Sequence, residues 1–455
     1  MPLRAFTLLA LLCCFSLPLR ALELADAYAL ALRNDPLFQA AIKEHQADQE
    51  HRNLGRAALL PKLNYSYSNS RNESQVTQQS QFGDISSQRD YRGYASVLSL
   101  QQPLFDYAAW AEYRQGEARA LLADQRLRGR SQALLVRLFL AYSEALLAGE
   151  RIALARAQRS AFAERLQLNQ RLFEGGEGTR TDLLETQARH DLALAQEIEV
   201  SDALDAALRE LQAIVGEPLL LADLQPLAEH VQIEPLQPRS FEAWRDLALA
   251  GNAELAAQRH AMTVAEQQVK RARAGHLPTL SLVASSRLTR SDSESAYNQR
   301  YDTDSIGIQL NLPLFTGGAT SAGRRQASYQ LEQASHELDA QSATTLNELR
   351  RQYNLCASSQ AKVRAYQLAV TSSRSLIEAT RRSVSGGERV NLDVLDAEQG
   401  FYTARRDLAE ARHAYLRSWL QLRQLAGVLE EHDLQQLALH FSRSPVAARV
   451  APAQG

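Results

Sequence analysis

The chain has 455 residues, 45% hydrophobic and 22% charged, with a formal net charge of −2. That length suits a large core or several domains, and the near-neutral balance gives no sign of a nucleic-acid partner. Its ten histidines show no His-Glu-x-x-His spacing, and no catalytic constellation appears, so the reading is not an enzyme and no cofactor is expected.

The chain opens as a secretory signal peptide over residues 1–21. Arg4 is the charged start, Ala5–Leu17 the apolar run, and Leu19-Arg20-Ala21 ends on a small residue. The run is too short to span a bilayer. Cys13 and Cys14 lack the small residue a lipoprotein cleavage site needs, so no lipid anchor is expected. Removing the segment leaves 48 basic against 52 acidic residues and a single cysteine, Cys356, which excludes an intrachain disulfide. No later stretch reads as apolar enough for a transmembrane helix, so an exported protein of this kind is either soluble or a β-barrel.

Leu22–Leu59 is rich in Ala, Leu, Gln and Arg and predicts a helix. Pro61 ends it. Leu63, Tyr65 and Tyr67 then alternate with Asn64, Ser66 and Ser68, the period-two signature of a strand. The Ser/Asn/Gln-rich stretch Asn69–Gln88 reads as a polar loop, and Tyr94–Phe105 returns as a strand with Leu98, Leu100 and Leu104 on one face and Pro103 near its end. No proline follows until Pro218. Tyr107–Leu172 therefore predicts one helix of roughly 66 residues, or ~100 Å, longer than any bilayer is thick. Gly175, Gly176 and Gly178 break it, and Thr179–Val215 returns as a helix about half as long.

The same order recurs. Arg271–Ser285 matches Leu54–Ser68, with Pro278 for Pro61. Leu312-Pro313-Leu314-Phe315 matches Gln102-Pro103-Leu104-Phe105, and Gly386-Gly387-Glu388 matches Gly175-Gly176-Glu177. The offsets stay between 210 and 217, too long for a solenoid and suited to a duplicated supersecondary unit. The second copy predicts helix Phe241–Ala274, a strand with Leu280, Leu282 and Ala284 on one face, and a loop around Arg287–Asp304. It continues with a strand in which Ile306, Ile308, Leu310, Leu312 and Leu314 alternate with small or polar residues, then helices over Ala319–Ser383 and Val390–Leu429. Four strands with one apolar and one polar face suit a membrane barrel with a wet lumen. Four strands cannot close a barrel, and open edges are not tolerated in hydrocarbon. The barrel reading therefore requires oligomerisation; three chains would supply 12 strands and 12 helical columns.

At this point the residues resemble the TolC-type outer-membrane channel-tunnels over nearly the whole chain. The resemblance rests on Ala31-Leu32-Arg33-Asn34-Asp35-Pro36 and Ala248-Leu249-Ala250-Gly251-Asn252, on the Leu-Pro strand starts and Pro-Leu-Phe strand ends, and most specifically on Gly386–Ala397. Gln102–Trp110, Arg350–Ala357 and Gly386–Asp393 look most like the outer-membrane component of type I exporters of alkaline metalloproteases.

The resemblance implies a mixed, mainly α fold: a homotrimer with a 12-stranded outer-membrane β-barrel, four strands per chain, continued by a long periplasmic α-helical barrel. Repeat 1 would cover 22–216 (hairpin 61–105, tip turn 173–178) and repeat 2 would cover 241–429 (hairpin 278–315, tip turn 384–389). The linker 217–240 and the segment 430–455 would form an equatorial collar. Implied partners are an inner-membrane ABC transporter, a periplasmic membrane-fusion adaptor, a secreted protein cargo and outer-membrane lipid. The implied function is a passive exit duct for a secreted protein. The alternatives are the outlet of a multidrug efflux pump and, in another class, a periplasmic coiled-coil scaffold without a pore.

The resemblance also implies a gate at the tip turns, where Asp182 would restrain Arg389. The tyrosine that often joins such a network is replaced by Val384. The alternative for Arg389 is an ion pair with Asp393 four residues on, in the less favourable order. Asp393 and Asp396 are one turn apart and could form two carboxylate rings in a trimer, favouring cations or binding divalent ions. The alternative is simple stabilisation of a helix N-terminus. Tyr65, Tyr67, Tyr94 and Trp110 could sit at membrane interfaces, with helix packing an equal reading for Trp110. The P-loop-like Gly318–Arg325 carries Arg324 and Arg325 where Lys and Ser/Thr are required, so nucleotide binding is rejected.

Overall fold

The structure is a computed structural model describing residues 22–228, 233, 235–293 and 296–442. The expected signal peptide, parts of the 217–240 linker and the tail beyond residue 442 lie outside the described residues.

The first helices among the described residues are α1 (Leu24–Asn34) and α2 (Pro36–Ala57), two where the composition predicts one. The break is at Asp35, extended at φ −65°, ψ 115°, because a residue before proline is pushed out of the helical region. Asp35 then caps α2, its Oδ1 accepting from Phe38 N at 2.8 Å. The same break recurs between α5 (Phe241–Gly251) and α6 (Ala253–Ala274), with Asn252 extended and its side chain donating to Leu425 O at 2.9 Å. Between them run α3 (Tyr107–Glu174) and α4 (Arg180–Val215). After α6 come α7 (Ala319–Ser385), α8 (Asn391–Leu425) and α9 (Glu431–Ala438).

One antiparallel sheet has the order β1 (Lys62–Ser80), β2 (Gly83–Phe105), β3 (Thr279–Ser293), β4 (Ala296–Asn311). Most of the polar stretches read as loops are strand. β1 and β2 pair without slippage from Lys62↔Gln101 to Ser80↔Gly83. Ser, Asn and Gln have weak strand preference, but a partner strand satisfies their backbone, and pairing context outweighs propensity. Residues 287–293 and 296–304 of the expected second loop likewise belong to β3 and β4. Pro61 and Pro278 each immediately precede a strand, and Pro103 sits where the β2–β3 register shifts, the positions a residue without an N–H tolerates. Pro313 lies two residues past β4. Within the sheet, β1 and β4 each have one unpaired edge.

Contacts divide the chain into two compact units. One comprises Met1–Ile42, Arg128–Ala253 and Ser342–Gly455; the other comprises Lys43–Leu127 and Glu254–Gln341. The second unit holds the sheet. The first holds the largest apolar core, where Leu24, Leu138, Phe139, Tyr142, Leu211 and Leu420 are almost fully buried. One window of α3 is as apolar as a membrane-spanning helix, contrary to the sequence reading, but 72% of it is buried. Its apolarity thus serves packing.

Tyr142 shows how this core is pinned. Its hydroxyl accepts from Gln225 N at 2.8 Å and donates to Leu22 O at 3.2 Å, tying the start of the chain and the linker to α3. Burial pushes its phenol pKa up. Tyr142→Phe leaves the Gln225 N–H without that partner, and thermal unfolding of the purified protein is expected to show a loss of about 1–3 kcal/mol.

Candidate functional site at the helix turns

The long helices end in two turns of the same construction. In the first, Gly175 N donates to Arg171 O, Gly176 N to Phe173 O and Glu177 N to Leu172 O, at 3.0, 3.1 and 2.9 Å. In the second, Gly386 N, Gly387 N and Glu388 N donate to Arg382 O, Val384 O and Ser383 O at 3.0, 3.0 and 2.9 Å. Gly176 and Gly387 both have φ of 76°, the left-handed conformation that ends helices and favours glycine. Gly178 has a different reason: a Cβ there would meet Phe173 N at 2.9 Å.

The acids that follow the turns begin the return helices. Asp182 N donates to Thr179 Oγ1 at 3.0 Å, and Thr179 Oγ1 donates to Asp182 Oδ2 at 2.6 Å. Asp393 Oδ2 accepts from Val390 N at 3.3 Å. Both carboxylates therefore sit in a first helical turn, where the helix dipole favours negative charge. Asp396 instead pairs with Arg189 of α4 at 2.5 Å. Asp182, Val384 and Arg389 line one groove of about 780 Å³, but no ion pair joins Arg389 to Asp182 or Asp393 among the described residues.

The same groove contains a group the sequence reading missed. Glu398 of α8 is 2% exposed. Its Oε1 accepts from Arg381 of α7 at 2.7 Å and lies 3.4 Å from Arg165 of α3, while Oε2 has no partner among the described residues. One carboxylate thus holds three helices. A signal for it existed: Glu398 falls four and three residues after the buried Val394 and Leu395, placing a charge on the apolar stripe of α8. Beside it, Asn169 of α3 and Asn391 of α8 both donate to Thr186 Oγ1 of α4, at 2.7 and 3.2 Å.

Further links run along the same helices away from the turns. Gln158 donates to Gln399 at 2.6 Å, and Tyr402 Oη donates to Ala157 O at 3.2 Å. Burial, with Glu398 nearby, raises the Tyr402 pKa. Arg151 bridges Glu410 and Glu144 at 2.8 and 3.3 Å, and Arg417 meets Glu144 at 2.9 Å. The fully buried His413 shares a 2.8 Å hydrogen bond with Ser143. Among the described residues no three His, Cys, Asp or Glu side chains cluster as metal ligands would. What the arrangement can do is mechanical: polar links hold α8 against α3 and α4, and the groove they leave is polar.

The family model described as "Outer membrane efflux protein" matches residues 27–217 and 244–428. The alkaline protease secretion protein AprF of Pseudomonas aeruginosa is 56% identical over 94% of this chain and 89% of its own length. The proteases secretion protein PrtF of Dickeya chrysanthemi is 50% identical, over 94% and 93%. Among solved structures, the outer membrane protein VceC of Vibrio cholerae superposes with a TM-score of 0.76 at 20% identity, covering 90% of this chain and 97% of VceC.

Proposed function

Because the chain belongs to the outer membrane efflux protein family, we propose that it is an outer-membrane exit duct of a type I secretion system. It would pass an exported protein, an extracellular metalloprotease, passively to the cell exterior. The observation that carries this reading is 56% identity to a protease secretion protein across nearly the whole chain. In this reading the sheet lies in the outer membrane, the helices extend into the periplasm, and the channel performs no chemistry. The two open sheet edges support a homotrimer, since hydrocarbon does not permit unpaired strands. The working partners are an ATP-driven inner-membrane transporter and a periplasmic adaptor. The boundaries 22–216 and 241–429 remain our division into repeats, supported by the matching glycine turns and helix breaks.

The turns are the proposed gate. Asp182 and Arg389 stay the candidate restraint between helix pairs, with Glu398, Arg165 and Arg381 as a second restraint deeper in the same groove. Asp393 and Asp396 remain the candidate cation ring of the trimer.

Deleting the gene is expected to remove an extracellular protease from the culture medium while leaving drug tolerance unchanged, with secretion restored by a plasmid copy. Unchanged secretion with raised drug sensitivity would instead establish a multidrug outlet, the reading that the family's efflux members favour. Heat-modifiable trimers in outer-membrane fractions would exclude a poreless periplasmic scaffold.

A further inference from the structure

The strand register assigns each paired residue of the sheet to one of two faces, because residues paired directly across antiparallel strands share a face and successive residues alternate. One face carries Leu63, Leu100, Leu282, Ile308 and Leu310 and is the lipid face of the barrel reading. On the other face, Lys62 shares a row with Gln101, Val283 and Gly307. The next row is Asn64, Ser99, Ser285 and Ser305, and the one after it Ser66, Val97, Arg287 and Thr303. This face is mostly small or hydroxylated, and its charges have one sign. Within 62–68, 95–101, 279–289 and 301–311, the only charged residues on it are Lys62 and Arg287.

Carboxylates are close by in the sequence, since Asp302 and Asp304 flank Thr303 on β4. The register turns both to the opposite face, paired with Leu288 and Ser286. Arg287 therefore has hydroxyl and aliphatic neighbours: Val97 and Thr303 directly across, Ser285 and Thr289 along its own strand. Neighbours this short do not cover so long a side chain. Arg287 is exposed, as is Lys62, and neither forms an ion pair among the described residues. In a symmetric trimer the three copies of Arg287 stand at one depth, and the three copies of Lys62 at one depth. Rings of Arg or Lys make pores that favour anions, and low-dielectric walls focus the field of charges of one sign between them.

We propose that the Arg287 ring, supported by Lys62, binds carboxylates of the exported polypeptide in the barrel lumen, and that the cargo of this duct is a protein rich in acidic residues. The planar guanidinium takes a carboxylate through two parallel hydrogen bonds. A passing acidic chain offers carboxylates in series, while the Ser, Thr, Asn and Gln of the same face hold it by weak neutral contacts. Binding of that kind draws a segment in and still lets it leave. The sign is opposite to that of Asp393 and Asp396, so the ion selectivity of the whole channel sums the two and does not report on the ring. The assignment rests on the barrel reading above and names the cargo class of the same duct.

The test uses the purified full-length protein in planar bilayers, with poly-L-glutamate and poly-L-lysine of equal length added to each compartment in turn. Poly-L-glutamate is expected to block the wild-type current from one compartment at about tenfold lower concentration than it blocks Arg287→Gln, the factor that loss of one charged hydrogen bond gives. Arg287→Lys is expected to keep part of the block, Lys62→Gln to weaken it less than Arg287→Gln does, and raised salt to weaken it in the wild type. Equal block of wild type and Arg287→Gln overturns the proposal, as does block by poly-L-lysine from the same compartment at the same concentration. Monomeric glutamate that blocks as well as the polymer, at matched residue concentration, overturns the polypeptide site in favour of one for small anions. Wild-type channels that conduct without preferring poly-L-glutamate refute the ring alone. A wild type that forms no conducting, heat-modifiable trimers refutes the barrel, and the ring with it.

Discussion

Glu398→Ala is expected to raise single-channel conductance in planar bilayers several-fold while leaving trimers intact. Glu398 is buried and is the anion that both Arg165 and Arg381 address. Removing one partner from a buried charged cluster typically costs 3–5 kcal/mol; the Arg381 side chain is 54% exposed, so about 3 kcal/mol is the better figure here. That energy is lost where α3, α7 and α8 meet, and two like charges then face the vacated space. The relief available is separation of the helices, which on the gate reading proposed above would widen the entrance. A bias of 3 kcal/mol changes a two-state equilibrium more than 100-fold, so even a rarely opened gate would respond. Glu398→Gln keeps the volume and can still accept from one arginine, and should fall between wild type and Ala. Asp182→Ala removes a first-turn carboxylate and its bond with Thr179, worth roughly 1 kcal/mol, and should do less. Unchanged conductance in Glu398→Ala, with normal trimers, would remove this carboxylate from the gate.

The parts of this arrangement visible in the sequence are those that depend on punctuation. Proline-free runs announced α3 and α7, and glycine pairs announced both turns, because a missing N–H or a positive φ leaves a mark on single residues. The apolar rows of β3 and β4 were visible through alternation. The upper strands were not: Asn69–Gln88 is polar on both faces, so pairing produces no hydropathic contrast to read. The break at Asp35 carries its mark in Pro36, which the uniform composition of the stretch masked, whereas the break at Asn252 has no proline after it, and a cap that redirects a chain without ending its apolar stripe leaves the composition unchanged. Of the site, Asp182 and Arg389 both line one groove, with no ion pair between them among the described residues. The partner of each charge was not legible. Arg189 for Asp396, and Arg165 and Arg381 for Glu398, come from other helices, the first two more than 200 residues away and Arg381 17 residues away across the turn, and spacing within one helix says nothing about them.

Ile308→Arg is expected to lower the amount of heat-modifiable trimer in the outer membrane at least tenfold, whereas Gln309→Arg, one residue away, should leave it nearly unchanged. Ile308 pairs with Leu282 on the apolar face and is 68% exposed; Ile306 and Leu310 on either side are 78% and 67% exposed. Joining β4 to another strand would cover its backbone edge but not these side chains, which stand perpendicular to the sheet. Their exposure is therefore toward whatever solvent the sheet has. In water, replacing an exposed residue changes stability by about 0.5 kcal/mol or less. In hydrocarbon, an arginine on the lipid face of a barrel costs about 2–4 kcal/mol near the midplane, and a trimer carries the cost three times. Gln309 pairs with Ser281 on the opposite face, where a wet lumen tolerates charge and only ion selectivity should shift. The two variants add the same charge to the same strand, so net charge cancels in the comparison, and the difference in β propensity between the Ile and Gln removed is at most about 1 kcal/mol. A large difference between them can arise only if one face meets lipid. Equal behaviour would place the sheet in water on both faces, and with it would fall the barrel, the need for three chains to close it, and the exit duct built on them.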